Sequence, residues 1–319
     1  VQCKRALLLA ASLLILSCNR QQQRRIAVIP KGTAHVFWQS VHAGAVAAGR
    51  DFHEEIVWDG PPNETDYSRQ LEIVDSMLNR HVEGMVVAAS DRTTLNGSLD
   101  RAAREKIPVV VFDSGVDSTN YVSFVATDNF EAGKLGARKL AALLGGKGTV
   151  AMIQNAPGSA STMDRERGFK EAMTKEFPEI RMVAEQYSMS DRAKAMSAAE
   201  NILTAHPQLD GLFASSEPSS VGAAQAIKSR QLAGKLKFVA FDSSDGLVED
   251  LRAGVIDALV AQDPFKMGYE AVRAVTDKLN GKTPDKKIDL SGEVITKADL
   301  EKPEVKLLLH PDLEKYLGK

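Results

Sequence analysis

Cysteine is nearly missing from this chain: of 319 residues only Cys3 and Cys18 carry a thiol. Everything after residue 18 must therefore fold without disulfides and work without thiol chemistry. A surplus of either charge is missing too. Lys and Arg total 40 against 42 Asp and Glu, a net charge of -2, so nothing favours a nucleic-acid backbone as partner. The most apolar stretch, Ala6 to Leu16, falls well short of the roughly 20 residues that a bilayer-spanning helix needs. His35, His42, His53, His81, His206 and His310 are scattered, and none has the His-Glu-x-x-His spacing of a zinc site. No Gly-x-Ser-x-Gly nucleophile elbow occurs. Gly145-Gly146-Lys147-Gly148 lacks the Lys-Ser/Thr ending of a phosphate loop and precedes an apolar run. It reads as a helix stop. No metal or cofactor is expected.

What is present is a repeat. Val82-Glu83-Gly84-Met85-Val86-Val87-Ala88-Ala89-Ser90-Asp91, followed by Pro108-Val109-Val110-Val111-Phe112-Asp113-Ser114, is echoed by Leu209-Asp210-Gly211-Leu212-Phe213-Ala214-Ser215-Ser216-Glu217, followed by Lys237-Phe238-Val239-Ala240-Phe241-Asp242-Ser243. Each copy is an apolar run, a polar turn, an Ala-rich helical stretch and a second apolar run ending in Phe-Asp-Ser. That pattern is a strand, a crossover helix and a parallel strand. Ligands of open parallel sheets bind beyond the carboxyl ends of the strands. Asp113 and Asp242 occupy that position, and two such ends facing each other make a cleft.

The alternation extends over the rest of the chain. Ile26 to Pro30 reads as a strand, and the helix after it has Phe37, Val41, Ala45, Ala48 and Phe52 on one face, with Gly44 and Ala48 small enough for close approach to a sheet. Further helices are expected over Tyr67 to Arg80, Glu131 to Leu144, Arg165 to Phe177, Asp191 to Ala205 and Met267 to Leu279. Thr127 or Asp128 is placed to cap the second of these. The fold class is therefore α/β: two similar doubly wound parallel-sheet lobes.

The amino-terminal segment stands apart. Lys4 and Arg5 precede the apolar run, giving residues 1–17 the layout of a secretory signal. Ile15-Leu16-Ser17-Cys18 resembles the bacterial lipobox, which implies cleavage before Cys18 and lipidation of its thiol. The polar residues 18–25 then form a tether, and loss of Lys4 and Arg5 takes the net charge from -2 to -4.

The order and spacing of several short features together resemble the type I periplasmic binding proteins of the ribose-binding and galactose-binding kind. These features are Ile26-Ala27-Val28-Ile29-Pro30-Lys31 with Phe37-Trp38, Phe112-Asp113, Thr127-Asp128-Asn129, Arg165 before Gly168-Phe169, Phe241-Asp242, and Gln262-Asp263-Pro264. The resemblance covers Ile26 to about Gly281. It implies lobes joined by three crossovers, the first from residues 26–126 plus 263–289, the second from 127–262 plus 290–319. It also implies closure around a sugar or small polyol, delivery to an ABC permease, a periplasmic, lipid-anchored, monomeric protein, and no catalysis.

Carried over by position, Asp113 would accept from sugar hydroxyls, Phe37 or Trp38 would lie against the ring, Arg165 and Asp242 would do the polar work of the second lobe, and Gln262 would sit at a crossover. Lys31, His35, Ser114, Asn129, Ser190 and Ser216 complete the expected set. Sugar hydroxyls both donate and accept, which suits planar carboxylates, amides and a guanidinium fork. Ser114 and Ser216-Glu217 depart from ribose-binding relatives, which have Arg and Asn-Asp there. Lys31 and Asp59-Gly60-Pro61 resemble the rhamnose-type and autoinducer-type branches, so neutral sugars and sugar acids are both open.

Other readings share these lobes. A sensor would present the ligand to a chemoreceptor or histidine kinase. A sugar-responsive repressor needs an amino-terminal helix-turn-helix module, where this chain has a signal and a tether. Asp113 and Asp242 could be read as a glycosidase pair, but lobes that close on a free sugar leave no room for a leaving group.

Overall fold

The computed structural model describes residues 23–318, so Cys18, the lipobox and the proposed signal lie outside the described residues. The first sheet is built from β1 (Arg25–Ile29), β2 (Glu55–Trp58), β3 (Gly84–Val87), β4 (Val109–Phe112), β5 (Ser123–Thr127) and β11 (Lys287–Leu290), in the spatial order β11-β5-β4-β3-β1-β2. All of its pairings are parallel. Every residue of β3 and β4 is buried, as expected of unbroken Val-rich runs covered by helices on both faces. Those helices are α1 (Val36–Phe52), α2 (Tyr67–Asn79), α3 (Asn96–Arg104) and α9 (Pro264–Leu279).

The second sheet repeats the plan with β6 (Gly148–Gln154), β7 (Ile180–Tyr187), β8 (Gly211–Ala214), β9 (Lys237–Phe241), β10 (Ala258–Ala261) and β12 (Glu293–Ile295), in the order β12-β10-β9-β8-β6-β7. Its helices are α4 (Asn129–Leu144), α5 (Ala160–Glu176), α6 (Arg192–Ala205), α7 (Glu217–Ser229) and α8 (Asp245–Ala253). One strand departs from the expected parallel arrangement: β12 at the edge runs antiparallel to β10. The chain passes between sheets at Thr127 to Asn129, Ala261 to Pro264 and Leu290 to Glu293. The sheets thus keep Thr127 and Leu290 in the first lobe, one residue beyond the expected boundaries.

Local signals explain most helix ends. Asp128 caps α4 by accepting from the Glu131 N–H at 3.1 Å, and Gly145 ends it in the left-handed region at φ +68°. Helix α5 starts at Ala160 rather than Arg165 because its first turn, Ala160-Ser161-Thr162, is small and polar and carries no apolar period. That extra turn brings Ser161 and Thr162 to the cleft.

Gly44 was expected to bring α1 close to the sheet. It instead faces α9, where a Cβ on Gly44 would lie 1.9 Å from the Phe265 carbonyl oxygen, and one on Gly268 would lie 2.1 Å from that of Val41. The second lobe repeats the device between α4 and α5, with Gly133 against the Arg165 carbonyl and Gly168 against that of Phe130, each at 2.0 Å.

The carboxyl-terminal segment differs most from expectation. Helix α10 (Pro303–Leu309) buries Val305 and Leu309 in the second lobe's core, as the apolar spacing implied. Helix α11 (Leu313–Leu317) crosses back to the first lobe. There Arg50 of α1 donates to the carbonyls of Lys315 at 3.0 Å and Tyr316 at 3.1 Å, and Tyr316 meets Phe265 at 5.2 Å between ring centroids. The expected assignment of the whole tail to the second lobe therefore fails for residues 313–317, because Tyr316 finds its aromatic and cationic partners on α1 and α9.

Candidate functional site

The carboxyl ends of the strands in both sheets point at one another, and the loops that leave them line a shared cavity. Lys31 and His35 follow β1, Glu64 follows β2 and Asp113 follows β4; Asn155 follows β6, Ser216 and Glu217 follow β8, Asp242 follows β9 and Gln262 follows β10. Phe37, Trp38, Thr162, Arg165 and Pro218 complete the lining. The free volume is about 20 Å³, roughly the space of one water. A bound monosaccharide would hold the lobes somewhat further apart than they stand in this structure.

In the first lobe, Phe37 and Trp38 meet edge to face at 4.9 Å, and the Trp38 Nε1–H donates to Glu64 Oε1 at 2.8 Å. Both rings belong to the first lobe's buried cluster and also line the cavity. Burial pushes the Glu64 carboxyl up, but Lys31, His35 and the hydrogen bonds from Trp38 and Ser190 outweigh it and leave it below its ordinary value. Lys31 is buried and its ammonium reaches Asp113 Oδ2 at 3.2 Å, Ser159 Oγ at 3.1 Å and Ser161 Oγ at 3.2 Å.

In the second lobe, Arg165 is buried rather than a surface helix residue. Its Nε donates to Asn129 Oδ1 at 2.7 Å, its Nη1 to the Ser215 carbonyl at 3.1 Å, and its guanidinium carbon lies 4.0 Å from the Phe241 ring centroid. Asp242 accepts from Gln262 Nε2 at 2.6 Å and from the Glu217 N–H at 2.9 Å, with Arg165 Nη1 at 3.8 Å. Burial nevertheless holds its carboxyl above the ordinary value. Glu217 is raised for the same reason, against the pull of Arg192 and His35.

Several contacts cross between the lobes. Besides the bonds from Lys31, Ser190 Oγ donates to Glu64 Oε2 at 3.0 Å, the Ser161 N–H donates to Ser114 Oγ at 3.2 Å, and His35 Nδ1 lies 3.5 Å from Glu217 Oε2. Of the expected residues, Lys31, His35, Phe37, Trp38, Asp113, Arg165, Ser216, Asp242 and Gln262 line this cavity. Ser114 and Ser190 bridge the lobes beside it. Asn129 lines a separate groove of about 740 Å³ at the first crossover and reaches the cavity only through Arg165.

Glu64, Asn155, Thr162 and Glu217 were missed as lining residues, as were Ser159 and Ser161, the partners of Lys31. Asn155 directly follows β6 and Glu217 lies just beyond β8, where the strand-end rule would have found them, whereas Glu64 lies well along the loop after β2 and Ser159, Ser161 and Thr162 lie at the start of α5. Among the described residues no group of His, Cys, Asp and Glu could hold a metal ion, and no helix is long and apolar enough to cross a membrane.

A family model described as periplasmic binding protein domain matches residues 26–283. The chain belongs to the periplasmic binding protein family. Solved structures agree with its two-lobed architecture. A carbohydrate transporter solute binding protein from Agrobacterium radiobacter, in complex with D-arabinose, superposes with a TM-score of 0.88 at 31% identity, covering 91% of this chain and 99% of that one. An ABC transporter solute binding protein from Agrobacterium vitis, bound to α-D-tagatopyranose, gives 0.87 at 30% identity, covering 91% and 100%. Among curated relatives, the D-allose-binding periplasmic protein of Escherichia coli is 28% identical, covering 83% of this chain and 87% of its own length. As a periplasmic binding protein the chain is a solute receptor and not an enzyme.

Proposed function

We propose that this periplasmic binding protein captures a monosaccharide or closely related polyol between its lobes and delivers it to an ABC permease, acting as a monomer tethered to the envelope through lipidated Cys18. The observation that carries the reading is the convergence of both Phe-Asp-Ser strand ends on one cavity, with Arg165 stacked on Phe241 on one side and Phe37 and Trp38 on the other. Planar hydrogen-bonding groups beside aromatic rings suit the alternating hydroxyls and C–H faces of a sugar ring. The named ligands of its relatives, D-arabinose, tagatopyranose and D-allose, are neutral sugars of that kind.

Lys31 argues against a sugar acid, since an ammonium has three donors and Lys31 has three oxygen neighbours already. Lys31, Asp113, Arg165, Asp242 and Gln262 are the residues assigned to the site. The lipid anchor rests on Ile15-Leu16-Ser17-Cys18.

Thermal unfolding of the purified protein across a panel of pentoses, hexoses, deoxysugars, amino sugars, sugar acids and polyols tests the reading. A ligand at a thousand times its Kd adds about 4 kcal/mol of stability. A raised midpoint with one or two sugars, lost in Asp242→Ala, is the expected result. No shift with any member would set the reading aside.

A further inference from the structure

The next inference rests on that reading of the cavity. Two buried acceptors in its lining, Glu217 Oε2 and Gln262 Oε1, have no hydrogen-bond donor. Their side chains are fixed by their other atoms: Gln262 Nε2 donates to Asp242 Oδ1, and Glu217 Oε1 is paired with Arg192. Each therefore holds one open oxygen in place. Glu217 is 1% exposed and Gln262 4%, and a buried acceptor without a donor costs on the order of 1 to 3 kcal/mol. His35 Nδ1, at 3.5 Å from Glu217 Oε2, is beyond normal hydrogen-bond length.

The charges around these acceptors are unequal. Glu64, Asp113, Glu217 and Asp242 face the cavity, whereas the fixed cations are Lys31, Arg165 and, behind Glu217, Arg192. Four carboxylates thus face three fixed cations, with His35 the remaining titratable group beside Glu217. Lys31 is taken up by Asp113, Ser159 and Ser161, so it does not balance a further anion.

We propose that Glu217 and Gln262 are the specificity-determining acceptors of this site and that the solute presents a positively charged amino group to them, making it an amino-substituted sugar or amino polyol. An ammonium supplies three donors and no acceptor, its hydrogen bonds to a carboxylate are charge-assisted, and it neutralises the surplus carboxylate. A hydroxyl supplies one donor and no charge. A sugar acid adds a carboxylate to a site already carrying one too many.

The test is isothermal titration calorimetry of the purified protein at pH 7 with 2-, 3- and 6-amino hexoses, their parent hexoses and the corresponding uronic acids. At least one amino sugar should bind 10-fold or more tightly than its parent, with no uronic acid binding comparably. Glu217→Gln should bring amino sugar and parent to within a few-fold of each other. The comparison on the unaltered protein decides the matter even if that variant folds poorly. Parents binding as tightly as their amino counterparts, or a uronic acid binding best, would overturn the inference and leave the sugar receptor standing. Binding by no sugar at all would remove both.

Discussion

Asp113 and Asp242 hold the same left-handed backbone conformation, with φ of +54° and +67°, at the ends of corresponding strands in the two lobes. A residue with a Cβ pays for that conformation, of order 1 to 3 kcal/mol where it is sparsely populated, and such strain persists where the surroundings impose it. In both lobes the strained turn swings a carboxylate into the cleft rather than onto the following helix.

Asn tolerates the left-handed region better than other residues with a side chain beyond Cβ, so Asp242→Asn should keep the fold. It removes the charge that faces Arg165 while sparing the backbone. Sugar affinity should fall 10- to 100-fold, the loss of a charge-assisted hydrogen bond, with a midpoint of unfolding close to that of the parent protein. Asp242→Val, β-branched, should lower the midpoint by several degrees as well. Calorimetry for affinity and circular dichroism for melting separate the two effects.

The buried carboxyls give the protein a pH signature with two opposite parts. Burial raises Asp242 above its ordinary value near 3.8, despite Arg165, Gln262 and the Glu217 N–H. The folded state then keeps this proton longer than the unfolded state, so stability falls as pH rises from about 3.8 through the raised value. For Glu64 the electrostatic and hydrogen-bond pull wins over burial, so its stability contribution is present above about 4.5 and is lost as pH falls through the lowered value. Urea unfolding at a series of pH values should show Asp242→Asn flattening the first trend and Glu64→Gln the second. Unchanged slopes in both variants would mean that other groups control the pH dependence.

Paired glycines set the helix spacing that places Arg165. Gly133 on α4 lies against the Arg165 carbonyl itself, so an added methyl must displace the backbone that carries the guanidinium. Gly133→Ala should destabilise by about 1 to 3 kcal/mol, the usual cost of overpacking, and should weaken sugar binding. Gly44→Ala, with the same clash in the first lobe against Phe265, should cost similar stability and affect binding less, because Phe265 does not line the cavity. Denaturant midpoints and Kd values measured on both variants make the comparison.

Much of this molecule was legible because strand ends repeat. The two Phe-Asp-Ser copies located Asp113 and Asp242 as repeated strand ends, and Gln262 followed from the resemblance of Gln262-Asp263-Pro264 to the periplasmic binding proteins. Glu64 was not legible: it lies in a polar loop, and only the folded chain brings Trp38 and Ser190 to its two oxygens. Glu217 sat within the repeat, but there it counted only as part of the Ser216-Glu217 departure from ribose-binding relatives, and only the fold shows it as the first, buried residue of α7. Ser161 escaped because a helix turn without an apolar period gives no sequence signal.

The tail makes a fourth link between the lobes and should influence how they close. Leu309 is buried in the second lobe, and a few residues later Tyr316 rests on Phe265 and beneath Arg50 of the first. The connecting segment passes Phe37, Asp242 and Gln262, where Leu308, Leu309 and Pro311 share a small cavity with them. Opening the cleft must stretch this strap or detach α11, which is held by exposed contacts of roughly 1 kcal/mol each. Removal of residues 312–319, or the milder Tyr316→Ala, should therefore shift the sugar-free protein towards open forms and weaken binding several-fold with little loss of melting temperature. Small-angle scattering without ligand should show a larger radius of gyration than that of the intact protein, converging with it at saturating sugar. Equal radii and equal affinities would mean that the strap rides with one lobe and has no part in closure.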